Sequence, residues 1–291
     1  ESKEIFVPVN LKHLKDSLAK QDFSVKPEIA SSTGLRPSIE TLLHALMPHR
    51  VVVHLHAVEI LAHLVHVNAR QKIENLVGDA VQWIFVDYFK PGADLARAIF
   101  DELKTTPNVD IIFMANHGVV IGGQNVSKVS ALLNELISKL RVNVSLSMVD
   151  QPLPIPPRKQ LIEFGYALCS DKEVNSLSQR KELVERLRSD WALYPDHIVF
   201  LGPHANIYRK WEEAKSYFFN NEYKPPLIFI EGEGVYVNSK FTRAHLQQLK
   251  CYYQILIRQN RDSILASLPQ TQINYLLSWD AEKYRQSLSQ S

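Results

Sequence analysis

The stretch Gln151-Pro152-Leu153-Pro154-Ile155-Pro156-Pro157 constrains this chain more than any other. Each proline fixes its own φ and removes a backbone donor, so the stretch fits neither a helix interior nor a central strand. The 291 residues therefore divide into residues 1–150, a proline-rich linker at 151–158, and residues 159–291. A hydrophobic content of 45% and a charged content of 22% are those of an ordinary folded protein and exclude disordered and collagen-like classes. Lys and Arg (33) barely outnumber Asp and Glu (31) and are interspersed with them, which argues against a phosphate-binding stripe and against a nucleic-acid partner. Arg258, Arg261 and Lys250 read as a solvated helix face. No apolar run approaches the ~20 residues of a membrane span and the start carries no basic-then-apolar signal, so a cytoplasmic protein with no membrane contact is expected. Cys169 and Cys251, far apart in sequence, are expected as free thiols in a reducing compartment. The chain opens on Glu1 and reaches strand-like residues 5–9 almost at once, which suggests that part of the natural N-terminus precedes it.

Periodicity predicts helices at 11–20, from about Ser38 to Met47, 57–76, 94–104 and 125–140. Strands are expected at 51–56, 80–86 and 109–115, with 119–121 a hairpin partner or a bent continuation. Beyond the linker, 159–167, 174–187, 209–219, 241–261 and 271–287 read as helices, and 197–201 and 227–230 as buried strands. No internal repeat is evident.

The chemistry concentrates at Val51-Val52-Val53-His54-Leu55-His56. A strand's period of two puts His54 and His56 on one face, roughly 6.5 Å apart along it, where two imidazoles can share a metal. His117, in Asn116-His117-Gly118 after the 109–115 strand, is the natural third nitrogen. Three ligands with one open position suit a catalytic zinc site. Glu40 adds a carboxylate from a separate element. A Lewis acid beside a base is the inventory that enolisation next to a carbonyl requires.

Arg36-Pro37-Ser38-Ile39-Glu40-Thr41-Leu42-Leu43-His44, then Met47-Pro48-His49-Arg50-Val51-Val52-Val53-His54-Leu55-His56 and Ala115-Asn116-His117-Gly118, resemble the class II aldolase/adducin family over about residues 5–140. That family includes zinc-dependent fuculose-phosphate and rhamnulose-phosphate aldolases. The resemblance implies a three-layer α/β/α sandwich around a mainly antiparallel sheet, here with a smaller C-terminal α/β unit. It implies Zn2+, or another divalent ion, on His54, His56 and His117, with Glu40 as the acid/base residue. It further implies a small sugar or sugar-phosphate substrate and a homo-oligomer, with a tetramer favoured. Residues 195–201 and 278–285 are similar to the segment following the aldolase module in bifunctional aldolase/dehydrogenase proteins. Two departures stand out. Nothing here matches the Gly-Asn turn that precedes the first strand in the family, and Pro37-Ser38-Ile39-Glu40 stands where sugar-phosphate aldolases often carry Pro-Ser-Ser-Glu.

Ser38 is read as the N-cap of its helix and as a contact for an anionic substrate group. Asn116 is read as a substrate contact or a turn former. His44 supports Glu40 or packs in the core, while His63 and His66 are core residues. Tyr88 and Lys90 lie on a loop without diagnostic spacing, and Gly232-Glu233-Gly234 is weak evidence for a nucleotide. The primary reading is a zinc-dependent aldolase acting next to the carbonyl of a ketose or ketose phosphate. The alternatives are an epimerase, decarboxylase or dehydratase on the same metal, or a non-catalytic adducin-like interaction module.

Overall fold

The computed structural model describes residues 6–30, 35–79, 81–144 and 163–279. The chain forms two compact units, Glu1–Leu64 with Asn68–Arg141, and Val142–Ser291 with Val65–Val67. The proline-rich linker at 151–158, the first part of the helix expected at 159–167 and the end of that expected at 271–287 lie outside the described residues.

The first unit contains α1 (Leu11–Ala19), α2 (Thr41–Leu46), β1 (Val51–Leu55), α3 (Val58–Leu64), α4 (Ala69–Val77), β2 (Trp83–Val86), α5 (Ala93–Thr105), β3 (Ile111–Met114), β4 (Gly118–Gly123) and α6 (Val126–Leu140). The Asn10 and Asn125 side chains cap α1 and α6 by accepting the His13 and Lys128 N–H groups, which satisfies donors that a helix start leaves open. The sheet order is β1-β4-β3-β2. β1 and β3 both run antiparallel to β4, and only β2 and β3 are parallel. Along the strands Val52, Val86, Ile112, Met114 and Val120 alternate onto one face, where Leu14, Leu18, Leu42, Leu43, Leu95 and Ile99 of α1, α2 and α5 cover them. The other face carries Phe113, Val119 and Ile121, also buried, while α3, α4 and α6 pack on one another and α3 and α6 against β4. The result is the three-layer α/β/α arrangement with a mainly antiparallel sheet.

Several boundaries differ from expectation. Of the strand expected at 5–9, the described part makes one bridge, Val9 to Ile29. The helix expected over 57–76 is two helices. Between them Val65-His66-Val67 leaves the helical path: His66 bridges to Leu265 and the Ala266 N–H bonds the Val65 carbonyl.

The second unit contains β5 (Tyr166–Leu168), α7 (Lys172–Gln179), α8 (Lys181–Ser189), α9 (Pro195–Leu201), β6 (Ile207–Tyr208), α10 (Trp211–Asn220), β7 (Leu227–Ile230), β8 (Gly234–Asn238), α11 (Arg243–Leu256) and α12 (Gln270–Ser278). Its sheet order is β5-β8-β7-β6. The run 197–201, expected as a strand, belongs to a helix that starts with Pro195 in its first turn and stops at Gly202. A short apolar run does not distinguish a buried strand from a buried helix. Residues 166 and 167, expected as the end of a helix, belong to strand β5. Gly232-Glu233-Gly234 joins antiparallel β7 to β8, so it does not present the helix N-terminus that a nucleotide phosphate needs. Cys169 and Cys251 are free thiols. No helix among the described residues is long and apolar enough to cross a membrane.

Candidate metal centre

Three elements of the first unit converge. β1 runs antiparallel to β4 with His54 opposite Val120, which sets its imidazole three residues across the ladder from His117. The β3–β4 turn aims His117 inward because Asn116 takes a left-handed φ of 51°, a conformation asparagine tolerates better than most residues. The Asn116 N–H then donates to the Leu64 carbonyl at 3.0 Å, tying the turn to the end of α3.

Glu40 arrives from the start of α2. Because that helix begins at Thr41, Glu40 rather than Ser38 occupies the N-cap position, and its side chain caps nothing. Ser38 instead shapes the turn. Its Oγ accepts the Glu40 N–H at 3.2 Å, and its carbonyl accepts the Thr41 N–H at 3.1 Å and the Thr41 hydroxyl at 2.6 Å. Freed from capping, the Glu40 carboxylate lies 2.9 Å from His117 Nε2 and 3.5 Å from His54 Nε2.

The three imidazoles enclose one point, with ring centroids 4.9, 5.1 and 5.2 Å apart and one nitrogen from each within 4.8 Å of the others. His54 Nδ1 donates to the Val119 carbonyl at 3.1 Å. That fixes the tautomer and leaves Nε2 of the neutral ring as a lone pair. The His54 and His56 Nε2 atoms are 3.1 Å apart, close to the about 3.3 Å separating two tetrahedral zinc ligands at about 2.0 Å from the ion. An all-imidazole set without thiolate fits zinc and related divalent ions.

Comparison with known proteins places this geometry in a family. Residues 9–144 match the family described as Class II Aldolase and Adducin N-terminal domain. Residues 9–144 are a class II aldolase/adducin domain. The chain is also similar to "Uncharacterized oxidoreductase YuxG" of Bacillus subtilis (strain 168), with 31% identity over 187 residues, 56% of this chain. It spans only 27% of that curated relative. A solved structure of the N-terminal class II aldolase domain of a conserved Thermoplasma acidophilum protein aligns with a TM-score of 0.35 at 23% identity, covering 48% of this chain and 59% of that one.

The electrostatics of the aldolase/adducin domain prepare these groups for a cation. Burial, the largest influence, pushes the His54 imidazole down to about 4; Glu40 opposes it, while His117 and His56 add to the depression. Burial works to raise the Glu40 carboxyl, but His117, His54 and His56 together outweigh it and carry Glu40 down to about 2. At neutral pH His54 therefore offers a lone pair and Glu40 is ionised, the protonation states that metal binding requires.

The remaining residues singled out from sequence fall elsewhere. His44 is exposed and donates from Nδ1 to the Val52 carbonyl at 3.2 Å, so it neither packs in the core nor backs Glu40. His63 and His66 are buried as expected, with His63 Nε2 bonded to the Leu140 carbonyl at 2.8 Å. Three supporting groups escaped sequence reading: the Val119 carbonyl, the side-chain-free Gly118, and His49, which pairs with Asp110 at 2.9 Å and packs against Gly122. Gly118 was visible as part of Asn-His-Gly, but only the strand register gives its role.

Proposed function

We propose that the first unit is a zinc-dependent aldehyde-lyase that makes or breaks the C–C bond next to the carbonyl of a ketose or ketose phosphate. The observation carrying this reading is the convergence of three imidazole nitrogens with one ionised carboxylate. A divalent ion held by His54, His56 and His117 would supply the positive charge that polarises the substrate carbonyl and lowers the cost of an enediolate. Glu40 takes the proton from the carbon next to that carbonyl. The C–H electron pair moves onto the carbonyl oxygen, and the enediolate carbon attacks the aldehyde, whose oxygen gains a proton; cleavage is the reverse. The buried setting of Glu40 excludes bulk water from that transfer. Ser38, exposed at the turn before α2, and Asn116 are the proposed substrate contacts. An epimerase, decarboxylase or dehydratase would share the proton step and differ only in the bond broken. The retained ligand histidines favour catalysis over an adducin-like interaction module. The oxidoreductase name belongs to a relative far longer than the matched region and adds no redox step here. A cytoplasmic homo-oligomer, a tetramer by analogy, completes the proposal.

The test combines metal content with retro-aldol turnover on a panel of ketoses and ketose phosphates. Glu40→Gln should keep one equivalent of zinc and lose about 10²–10⁴-fold in kcat, the usual contribution of a positioned acid/base group. Full turnover by E40Q, or failure of the purified protein to take up stoichiometric divalent metal, refutes the reading.

A further inference from the structure

The two units share more than a fold class. Both sheets place two antiparallel pairings before one parallel pairing, in the orders β1-β4-β3-β2 and β5-β8-β7-β6. Hydrogen bonds outside the ladders recur as well. The Ala115 N–H donates to the Val86 carbonyl at 2.9 Å and that of Glu231 to Tyr208 at 3.0 Å. The His117 N–H reaches Met114 at 3.2 Å and that of Glu233 reaches Ile230 at 3.0 Å. Gly122 bonds Asp110 at 2.8 Å and Asn238 bonds Pro226 at 3.1 Å. The donors Ala115, His117 and Gly122 map onto Glu231, Glu233 and Asn238 at one constant offset in residue number. That offset also takes left-handed Asn116 to left-handed Gly232, with φ of 51° and 72°. Each of these turn residues donates its N–H to the helix that follows the first strand, Asn116 to Leu64 at 3.0 Å and Gly232 to Ser178 at 2.7 Å.

The cores obey the same correspondence. Val52, Val86, Ile112, Met114 and Val120 lie in the apolar cluster of the first unit. Their register equivalents Tyr166, Tyr208, Ile228, Ile230 and Tyr236 lie in that of the second. A common strand order can arise by chance, but a shared set of turn bonds, a shared left-handed residue and matching core positions at one register point to a duplicated module. The additional helix α9 lies between the counterparts of α4 and β2. In sequence the repeat is faint: Ile112-Phe113 and Gly118-Val119 recur as Ile228-Phe229 and Gly234-Val235, while the positions of the histidines differ.

The register also identifies the second unit's counterparts of the metal ligands. His54 lies opposite Val120 and Leu168 opposite Tyr236, so Leu168 occupies the His54 position, Ser170 that of His56 and Glu233 that of His117. Leu168 packs on the apolar cluster. We infer that the second unit is a second copy of the metal-binding module that has given up its metal for apolar core, so that one chain carries two modules and a single metal site. The metal count rests on the reading of His54, His56 and His117 proposed above; the duplication does not.

The test counts ions by mass spectrometry after zinc loading of the full chain. Wild type should hold one zinc per chain, and His54→Ala together with His117→Ala should hold none. The double variant L168H/S170H, which keeps Glu233, should gain a second zinc, since two histidines and a carboxylate are a sufficient set. S170H/E233H leaves Leu168 in the core, alters one exposed and one half-buried position, and should bind a second equivalent of Ni2+ that wild type lacks. A second ion in wild type that survives loss of His54 and His117 overturns the inference. So does a folded L168H/S170H or S170H/E233H, judged by its circular dichroism and thermal transition, without an added ion, or failure of S170H/E233H to fold. Zero ions in wild type and one in L168H/S170H would refute the metal reading of the first unit while supporting the duplication.

Discussion

Gly118→Ala is a small change with a large expected effect. A Cβ at this position would lie 2.6 Å from the Leu55 carbonyl oxygen, 2.8 Å from His56 Cδ2 and 3.2 Å from His54 Cε1. Restoring the first contact to the ordinary range, which begins at 3.4 Å, moves β1 and β4 apart by about 0.8 Å. Metal sites tolerate ligand displacements of about 0.2 Å, and His54 and His56 both ride on or just beyond that strand. Zinc affinity should therefore fall about 10–100-fold, or roughly 1.4–2.7 kcal/mol. The overpacking adds about 1–3 kcal/mol of destabilisation, which lowers Tm by about 2–4 °C per kcal/mol for a unit of this size. Competition titration of zinc against a chelating dye measures the first effect and a thermal scan the second. Gly123→Ala is the control: the atoms nearest its Cβ would be those of the Val129 and Lys128 side chains, at 3.0 to 3.3 Å, so it should leave zinc affinity unchanged. Wild-type affinity and Tm in G118A would refute the claim that this glycine is required for β1 to approach β4 beside the three histidines.

Asn116→Gly should leave zinc affinity and Tm at wild-type values, because glycine adopts the left-handed turn freely. Asn116→Val should lower Tm through about 1–2 kcal/mol of backbone strain. A raised KM in N116G with metal and Tm intact would assign the amide to substrate rather than to the turn. In the second unit, burial drives His197 down to about 3, among the rings of Trp191 and Tyr252 at 4.3 and 4.4 Å. Between the ordinary histidine value of 6.5 and about 3, the unfolded chain therefore binds a proton that the folded one refuses. Stability conferred by the neutral ring is present above pH 6.5 and falls as pH drops through that window, by about 2 kcal/mol between pH 6.5 and 5. Urea midpoints for wild type and His197→Phe across that range should converge at low pH, and parallel curves would exclude His197 as the source.

The first unit was more legible than the second, for identifiable reasons. The valines before His54 and the caps Asn10 and Asn125 are local signals, and each marks its element within a residue or two. Burying the sheet on both faces requires only the apolar runs that 51–55, 111–114 and 118–121 display. Convergence of Glu40 with the three histidines is a matter of register: spacing places His54 and His56 on one face, but only the pairing of His54 with Val120 brings His117 to them. Ser38 resembled a cap because serine before a helical run usually is one, yet the helix starts later and the turn uses the hydroxyl. In the second unit β6 has two residues and β5 three, too short for a period to register. β8 was masked by the glycines at its entrance, while Pro195 and Gly202 are proper helix punctuation around α9 that an apolar run of strand length obscured.

Glu40 stands where a helix favours serine, threonine, asparagine or aspartate, and its side chain leaves the first turn of α2 uncapped. A short polar side chain there would be worth about 1 kcal/mol to the helix and would remove the carboxylate from the histidines. With Glu40 in the acid/base role proposed above, selection for heat tolerance and selection for turnover pull this one position in opposite directions. A laboratory lineage evolved for thermostability alone should abandon Glu40 early, whereas one evolved for catalysis should keep it and repair α2 from elsewhere.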